Sequence, residues 1–176
     1  MKPGDIFVAR RGRNELIGVG SLKELNLASN NLSTLPESIW NLESLETLSI
    51  STNNLSDLSE KINNLRKLKK LRLYGNNLST LPDSIWDLTS LELLSIGSNK
   101  LETLSDGIGN LKSLKYLDLK NNKLKTIPDC LGKLKNLEKL YLERNQISND
   151  LLNKELEKKG FIKPYKKASW FEYKKD

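Results

Sequence analysis

The chain has 176 residues, about one domain's length, and its 29 lysines and arginines exceed its 22 aspartates and glutamates to give a net charge of +7. The sequence contains no histidine and a single cysteine, Cys130, which excludes histidine-based nucleophile pairs, histidine metal sites and an intrachain disulfide. It shows neither the apolar core of a signal peptide nor a long apolar run, so we expect no membrane span and a cytoplasmic location.

The first twenty residues do not follow the pattern of the rest of the chain. Two β-prone runs, residues 6–9 and 16–19, flank a turn-rich basic segment at residues 11–14. We predict that residues 1–20 form a β-hairpin cap, because an array of repeats has an apolar end that an atypical unit must cover. Contact of the arginines at the hairpin tip with phosphate is the weaker alternative.

Six copies of one phrase follow, and they recur every 23 residues. The first copy reads Leu22, Leu25, Leu27 and Asn30, which is the L-x-x-L-x-L-x-x-N pattern of a leucine-rich repeat. Its alternation of apolar and polar residues predicts a strand with one buried face, and a right-handed coil stacks such strands in parallel. We therefore predict that residues 21–147 form an α/β solenoid, a right-handed horseshoe of six repeats with a parallel β-sheet on its concave face.

The repeated asparagine lies where each strand ends and the chain turns away from the sheet. Its short amide can bond backbone groups of neighbouring turns, and we expect a continuous ladder of such bonds with a structural rather than catalytic role. The ladder consists of Asn30, Asn53, Asn76, Asn99, Asn122 and Asn145.

The outer arm of the first repeat runs through Leu35, Pro36, Ile39, Leu42 and Leu45. Proline favours an extended or turn start, so this arm predicts an extended stretch followed by a short helical or 3₁₀ turn. The L-P-x-x-I-x-x-L-x-x-L phrasing resembles the intracellular Ras-group class of leucine-rich repeat proteins, over residues 22–147. That resemblance implies a curved scaffold that binds proteins and has no catalytic residues.

Ser59 and Ser105 replace the proline in copies two and four, and this departure is itself regular. Residues 31–50 and 77–96 differ at four positions, which indicates that the duplicated unit was a pair of repeats. Trp40 and Trp86 are copies of each other in this duplication. We expect both to be half-buried packing residues on the convex side rather than marks of a unique site.

Residues 148–176 are predicted to form a C-terminal cap and tail. Asn149 or Asp150 can cap a helix that ends at Gly160, with its leucines closing the core. The aromatic residues between Trp170 and Tyr173 either complete the cap as an edge strand, which we favour, or form a docking peptide.

The polar strand positions define the solvent side of the sheet, and in its C-terminal half they carry tyrosine and arginine, the residue types that dominate binding hot spots. We predict a protein-binding surface there with no cofactor and no metal. Its residues are Arg72, Tyr74, Ser95, Tyr116, Asp118, Lys120, Tyr141 and Arg144.

We therefore expect a non-enzymatic, monomeric scaffold that binds a protein or peptide. Two alternatives remain open. Basic groups beside the tyrosines would suit a nucleic acid, although acidic groups share the same face and the repeats are almost neutral, with 17 basic and 15 acidic residues. Self-association through an incompletely capped end is the other.

Overall fold

A computed structural model of the protein describes residues 22–147 and the backbone of residues 172 and 173. The predicted hairpin of residues 1–20 lies outside the described residues. So do the predicted helix that ends at Gly160 and most of the aromatic tail.

Within the described residues, six strands of three residues stack side by side in sequence order, which confirms the predicted solenoid with its parallel sheet. Each strand pairs with the next in the same register, so that Leu48 lies opposite Leu71. The strands are β1 (Glu24–Asn26), β2 (Thr47–Ser49), β3 (Lys70–Arg72), β4 (Leu93–Ser95), β5 (Tyr116–Asp118) and β6 (Lys139–Tyr141). A two-residue strand, β7 (Glu172–Tyr173), pairs antiparallel with β6 at the C-terminal edge of the sheet.

The chain returns on the other side of the core through short 3₁₀ helices, as the proline phrasing predicts. In the described residues these are η1 (Glu37–Asn41), η2 (Glu60–Asn64), η3 (Asp83–Asp87), η4 (Asp106–Asn110) and η5 (Asp129–Lys133). Pro36 precedes η1 with φ −66°, and Ser59 precedes η2 with nearly the same φ of −68°. The serine hydroxyl accepts a hydrogen bond from the backbone N–H of Lys61, so serine caps the helix where proline merely fixes its start.

The apolar positions of all six repeats form one continuous core between the sheet and the 3₁₀ helices. The central leucines of β2 to β6 have no exposed surface. Trp40 and Trp86 are 2% and 4% exposed, so they are buried core residues rather than the half-buried ones that the sequence suggests. Each repeat therefore buries its apolar face against its neighbours, and these contacts between neighbouring repeats stabilise the solenoid.

The repeated asparagines link consecutive turns of the solenoid through their side chains. The Asn76 amide nitrogen donates to the carbonyl oxygens of Ile50 and Leu73, each at 3.0 Å. The Asn76 side-chain oxygen accepts from the backbone N–H of Leu55 at 3.1 Å. The same pattern recurs at Asn99 and Asn122. These bonds satisfy backbone groups that the turn would otherwise leave buried and unpaired.

One column of alternating charges runs along the sheet, one residue before each strand. We call it the charge column: Lys23, Glu46, Lys69, Glu92, Lys115 and Glu138. Glu46 contacts Lys23 and Lys69, both at 2.8 Å, and Glu92 contacts Lys115 at 3.0 Å. The lysines and the glutamates of the column each recur every 46 residues, the length of a pair of repeats.

Candidate functional site

The sheet brings five of the predicted site residues together on its solvent side. Tyr116 and Asp118 lie at the two ends of β5, Tyr141 ends β6, and Tyr74 and Lys120 follow two residues after β3 and β5. Because adjacent strands are in register and about 4.8 Å apart, equivalent positions of successive repeats line up in columns across the sheet, and these five residues occupy three neighbouring columns. We call Tyr74, Tyr116, Asp118, Lys120 and Tyr141 the tyrosine–lysine cluster.

Lys120 is the centre of this cluster. Its ammonium nitrogen lies 5.5 Å from the centroid of the Tyr74 ring and 6.0 Å from that of Tyr141, within range of a cation–π interaction with both. It also lies 3.6 Å from a carboxylate oxygen of Asp118. The lysine is thus held in one position by two rings and one carboxylate, which lowers the conformational entropy that a partner's contact with it would cost.

Tyr74 and Lys120 come from repeats two strands apart, and Gly97 lies between them. A Cβ atom at Gly97 would lie 3.1 Å from Cδ2 of Tyr74, 3.1 Å from Cγ of Lys120 and 2.9 Å from a carboxylate oxygen of Asp118. Because Gly97 has no side chain, the side chains of Tyr74 and Lys120 can both lie over this position. Sequence reasoning did not include Gly97, although a glycine in a column of otherwise larger residues was the available signal.

Asp118 is only 3% exposed, which is unusual for a carboxylate on a solvent-side column. It accepts hydrogen bonds from the backbone N–H of Lys120 at 3.1 Å and from the Ser95 hydroxyl at 3.4 Å. Together with the Lys120 ammonium these contacts compensate the buried charge. Asp118 and Ser95 therefore position Lys120 and present little surface of their own.

Tyr116 and Tyr141 pack against each other beside Lys120. Their ring centroids are 5.2 Å apart and the rings are tilted by 44°, a favourable geometry for two aromatic side chains. Burial is the main factor that raises the pKa of Tyr116 to about 12, with smaller contributions from Tyr141 and Asp118. Tyr116 is therefore neutral at physiological pH. Tyr74 is the most exposed ring of the cluster at 37%.

The two predicted arginines lie outside the cluster, one on each side. Arg72 ends β3, next to Tyr74, and is half-buried. Arg144 lies three residues after β6, in a left-handed turn with φ 54°, and so falls beyond the strand columns. Lys70, which sequence reasoning did not include, begins β3 and is exposed. Among residues 22–147, no carboxylate lies within ion-pair distance of Lys70, Arg72 or Arg144.

The described residues contain no group of three or more histidine, cysteine or acidic side chains that could hold a metal ion. Cys130 is buried, and burial together with the neighbouring Asp106 raises the pKa of its thiol, which keeps the thiol protonated and weakly nucleophilic. In the part of the chain that the structure describes, no helix is long and apolar enough to cross a membrane.

Comparison with known families finds two matching models, one described as a leucine-rich repeat region over residues 12–103 and one as a leucine rich repeat over residues 91–147. The first spans more than half of the chain. A comparison with curated proteins finds no significant match.

Solved structures with a similar fold include three bacterial proteins. A leucine-rich repeat protein of Leptospira interrogans aligns over 74% of this chain with 38% identity and a TM-score of 0.72. An internalin of Listeria monocytogenes aligns over 76% with 25% identity and a TM-score of 0.69, and internalin C2 of the same species over 73% with 31% and 0.65. The alignments cover 33%, 38% and 55% of those chains, so this chain spans at most about half of their length.

Proposed function

The chain belongs to the leucine-rich repeat family, and from this premise we propose that it is a non-enzymatic scaffold that binds a protein or peptide partner. The proposed contact surface is the C-terminal half of the concave face, which comprises the tyrosine–lysine cluster and the flanking Arg72 and Arg144. Its similarity to internalins and to a Leptospira repeat protein supports an interaction module in general terms. The choice of this surface comes from the chain's own residues.

The observation that carries the proposal is the preassembled cluster around Lys120. Parallel strands with one buried face need no aromatic side chain on their solvent side, yet three tyrosines and a lysine meet there. Tyrosine and arginine are enriched at binding hot spots because they bury a large area while keeping a polar tip paired. The N-terminal half of the same face carries smaller, neutral side chains such as Asn26, Ser49 and Ser51.

The sequence gives little support to a catalytic role. It lacks histidine, and its only cysteine has a raised pKa, whereas a cysteine nucleophile needs a lowered one. The buried carboxylate of Asp118 accepts hydrogen bonds from the Ser95 hydroxyl and the Lys120 backbone N–H and faces the Lys120 ammonium, a structural arrangement.

A photo-cross-linking experiment tests the proposal directly. Benzoylphenylalanine replaces Tyr74 on the concave face or, as a matched control, the exposed Lys67 between η2 and β3. After irradiation in cell extract, we expect protein adducts at position 74 that are absent at position 67. Changing Arg72, Tyr74, Tyr116 and Tyr141 to alanine should abolish capture of the same protein. Alanine at Glu24, Asn26, Thr47 and Ser49 in the N-terminal half should leave it unchanged.

Circular dichroism establishes that each variant is folded before capture is compared. Equal adducts at positions 67 and 74, or capture that survives the four C-terminal substitutions, would contradict the proposal. Loss of all capture on nuclease treatment would favour nucleic-acid binding instead. Adducts made only of a second copy of the chain, with sedimentation that depends on concentration, would favour self-association.

A further inference from the structure

We propose that the partner presents an extended acidic segment, with carboxylates on either side of an aromatic or other flat apolar side chain. The segment would cross the sheet from β3 to β6 over the tyrosine–lysine cluster. This inference rests on the function proposed above and specifies the chemistry of the partner.

The first support is the contrast between two sets of cations on the same sheet. In the charge column, Lys23, Lys69 and Lys115 each lie within 3.0 Å of a glutamate oxygen. On the concave face, Lys70 lies directly next to Lys69 in sequence, yet no carboxylate of residues 22–147 pairs with it, and the same holds for Arg72 and Arg144. None of these three charges is held in an ion pair within the described repeats, so they are available to a partner.

The second support is the balance of charge on this half of the face. Among residues 22–147, its cationic residues are Lys70, Arg72, Lys120, Lys139 and Arg144, and its acidic residues are Asp118 and Glu143. Asp118 is buried and its charge is compensated by Lys120 and Ser95, so it does not repel an approaching carboxylate. The surface that a partner meets is therefore positive, and electrostatic complementarity selects an acidic one.

The third support is the placement of the cations relative to the rings. Arg72 and Lys70 belong to β3, while Arg144 follows β6, three strands further along the sheet. Adjacent strands are about 4.8 Å apart, so the two cationic groups are separated by roughly 14 Å across the strands, and Arg144 is displaced further along them. An extended chain advances about 3.3 Å per residue and covers that distance in about four residues. A side chain midway between two such carboxylates would lie over Tyr74 and Lys120.

The segment is also expected to be protein rather than nucleic acid. The carboxylates of Asp118 and Glu143 share this face with the cations and interrupt them. A strand of phosphates spaced closely along a backbone would need a continuous basic track, which this face lacks.

Fluorescence anisotropy with synthetic peptides tests the inference without knowledge of the natural partner. The probes are fluorescein-labelled peptides of equal composition, with two glutamates and one phenylalanine among serines. In one the glutamates are about four residues apart with the phenylalanine midway, following the strand spacing, and in the other they are adjacent. A third probe has lysines in place of the glutamates. We expect the spaced glutamate probe to bind tightest, and the lysine probe to bind roughly tenfold or more weakly.

The decisive protein variant is the pair Arg72→Ala and Arg144→Ala. We expect it to weaken binding of the spaced probe roughly tenfold. Its matched control, Lys112→Ala with Lys135→Ala, removes the same charge from exposed turns that precede β5 and β6 and should change binding by less than about twofold. Added salt should weaken the interaction, because exposed charge pairs are screened.

Equal binding of glutamate and lysine probes, or equal losses in the two double variants, would overturn the inference. So would a short oligothymidylate that binds more tightly than the spaced peptide and competes with it. If no peptide binds but a protein still cross-links at position 74, the acidic partner is refuted while the proposed function stands. If the cross-link is also absent, both fail.

Discussion

The indole ring of Trp86 occupies the space that a side chain at Gly107 would need. A Cβ atom at Gly107 would lie 2.3 Å from Cδ1 of Trp86 and 2.6 Å from Cγ, and both distances are shorter than van der Waals contact allows. The two residues come from consecutive 3₁₀ helices, η3 and η4, so the missing side chain allows two repeats to stack closely around the tryptophan. The duplicated tryptophan, Trp40, is followed at the same interval by Lys61 instead.

Gly107→Ala is therefore expected to destabilise the protein by about 1–3 kcal/mol, the usual cost of overpacking. The sign of the change in unfolding free energy distinguishes the two cases, because a glycine-to-alanine change in a helix without a clash would stabilise the protein by roughly 0.5–1 kcal/mol. Urea denaturation followed by tryptophan fluorescence measures the change. Lys61→Ala is the control. Because Lys61 already has a Cβ atom at the equivalent position, this change should have little effect. A stabilised Gly107→Ala variant would show that the ring moves aside without cost.

The sequence predicted the repeat register well, because leucine spacing fixes which residues face the core. Residues 23 apart, such as Arg72 and Ser95 or Asp118 and Tyr141, occupy equivalent positions of successive repeats, and the strand pairing places them opposite each other. The sequence did not predict that Asp118 is buried or that Gly97 lets Tyr74 reach Lys120. The repeat register predicts where each Cα atom lies on the sheet. The direction of a long side chain also depends on the size of the neighbouring side chains, which the register does not predict.

The two tryptophans illustrate a second limit of the sequence. Their spacing indicates a repeated packing position, yet 2% and 4% exposure could not be read from it. Burial of each ring depends on which residue the next repeat places over it, and that residue differs between the two copies. The proline and serine alternation was visible in the sequence, but its reason is the shared backbone geometry before each 3₁₀ helix.

Replacement of Asn76 by alanine tests the asparagine ladder. The carbonyl oxygen of Ile50 also accepts from Asn53, and that of Leu73 from Asn99, so both keep a partner in the variant. The backbone N–H of Leu55 loses its partner in the variant, because its acceptor is the side-chain oxygen of Asn76. One buried unpaired N–H predicts a loss of about 1–3 kcal/mol in the free energy of unfolding.

Two further asparagine variants make that measurement specific. Asn76→Asp keeps an acceptor for the backbone N–H of Leu55. It also replaces the donating amide nitrogen with a carboxylate oxygen, which repels the carbonyl oxygens of Ile50 and Leu73. It should therefore destabilise the protein at least as much as alanine. Asn54→Ala changes an exposed neighbouring asparagine and should be nearly neutral. A loss at Asn54 equal to that at Asn76 would show that the ladder bonds contribute nothing specific.

In each repeat the third residue after the strand has a left-handed conformation. Thr52 has φ 56°, and Gly75, at the same position of the next repeat, has φ 68°. A β-branched residue is strained there by roughly 1–2 kcal/mol, whereas glycine is not but loses about 0.5–1 kcal/mol of backbone entropy on folding. We therefore expect Thr52→Gly to stabilise the protein by up to about 1 kcal/mol in urea denaturation.

The reciprocal change, Gly75→Thr, should destabilise the protein for the same reason. A Cβ atom at Gly75 would meet its nearest neighbour, the backbone of Thr52, at an ordinary 3.6 Å, so the penalty comes from the φ angle alone. Opposite signs for the two substitutions support this account. Destabilisation by both would instead show that the Thr52 side chain makes a stabilising contact.

The charge column predicts how stability depends on pH. The two lysines beside Glu46, with Lys23 contributing most, lower the pKa of its carboxyl from 4.5 to about 2, and Lys115 lowers the pKa of Glu92. A carboxyl with a lower pKa in the folded state stabilises the protein above the pKa of the unfolded chain. That contribution is lost as the pH falls from about 4.5 through about 2, since protonation removes the charge that pairs with the lysines.

Glu46→Gln should therefore reduce the dependence of unfolding free energy on pH within that window, and have a smaller effect on stability near pH 2 than at neutral pH. Urea denaturation at a series of pH values measures this dependence. Glu43→Gln is the control, because Glu43 has no ion-pair partner among residues 22–147, and its pH profile should match the wild type. Added salt should reduce the difference between wild type and Glu46→Gln, since both lysine contacts are partly exposed and therefore screened. Identical profiles for wild type and Glu46→Gln at low salt would show that the column does not contribute to stability.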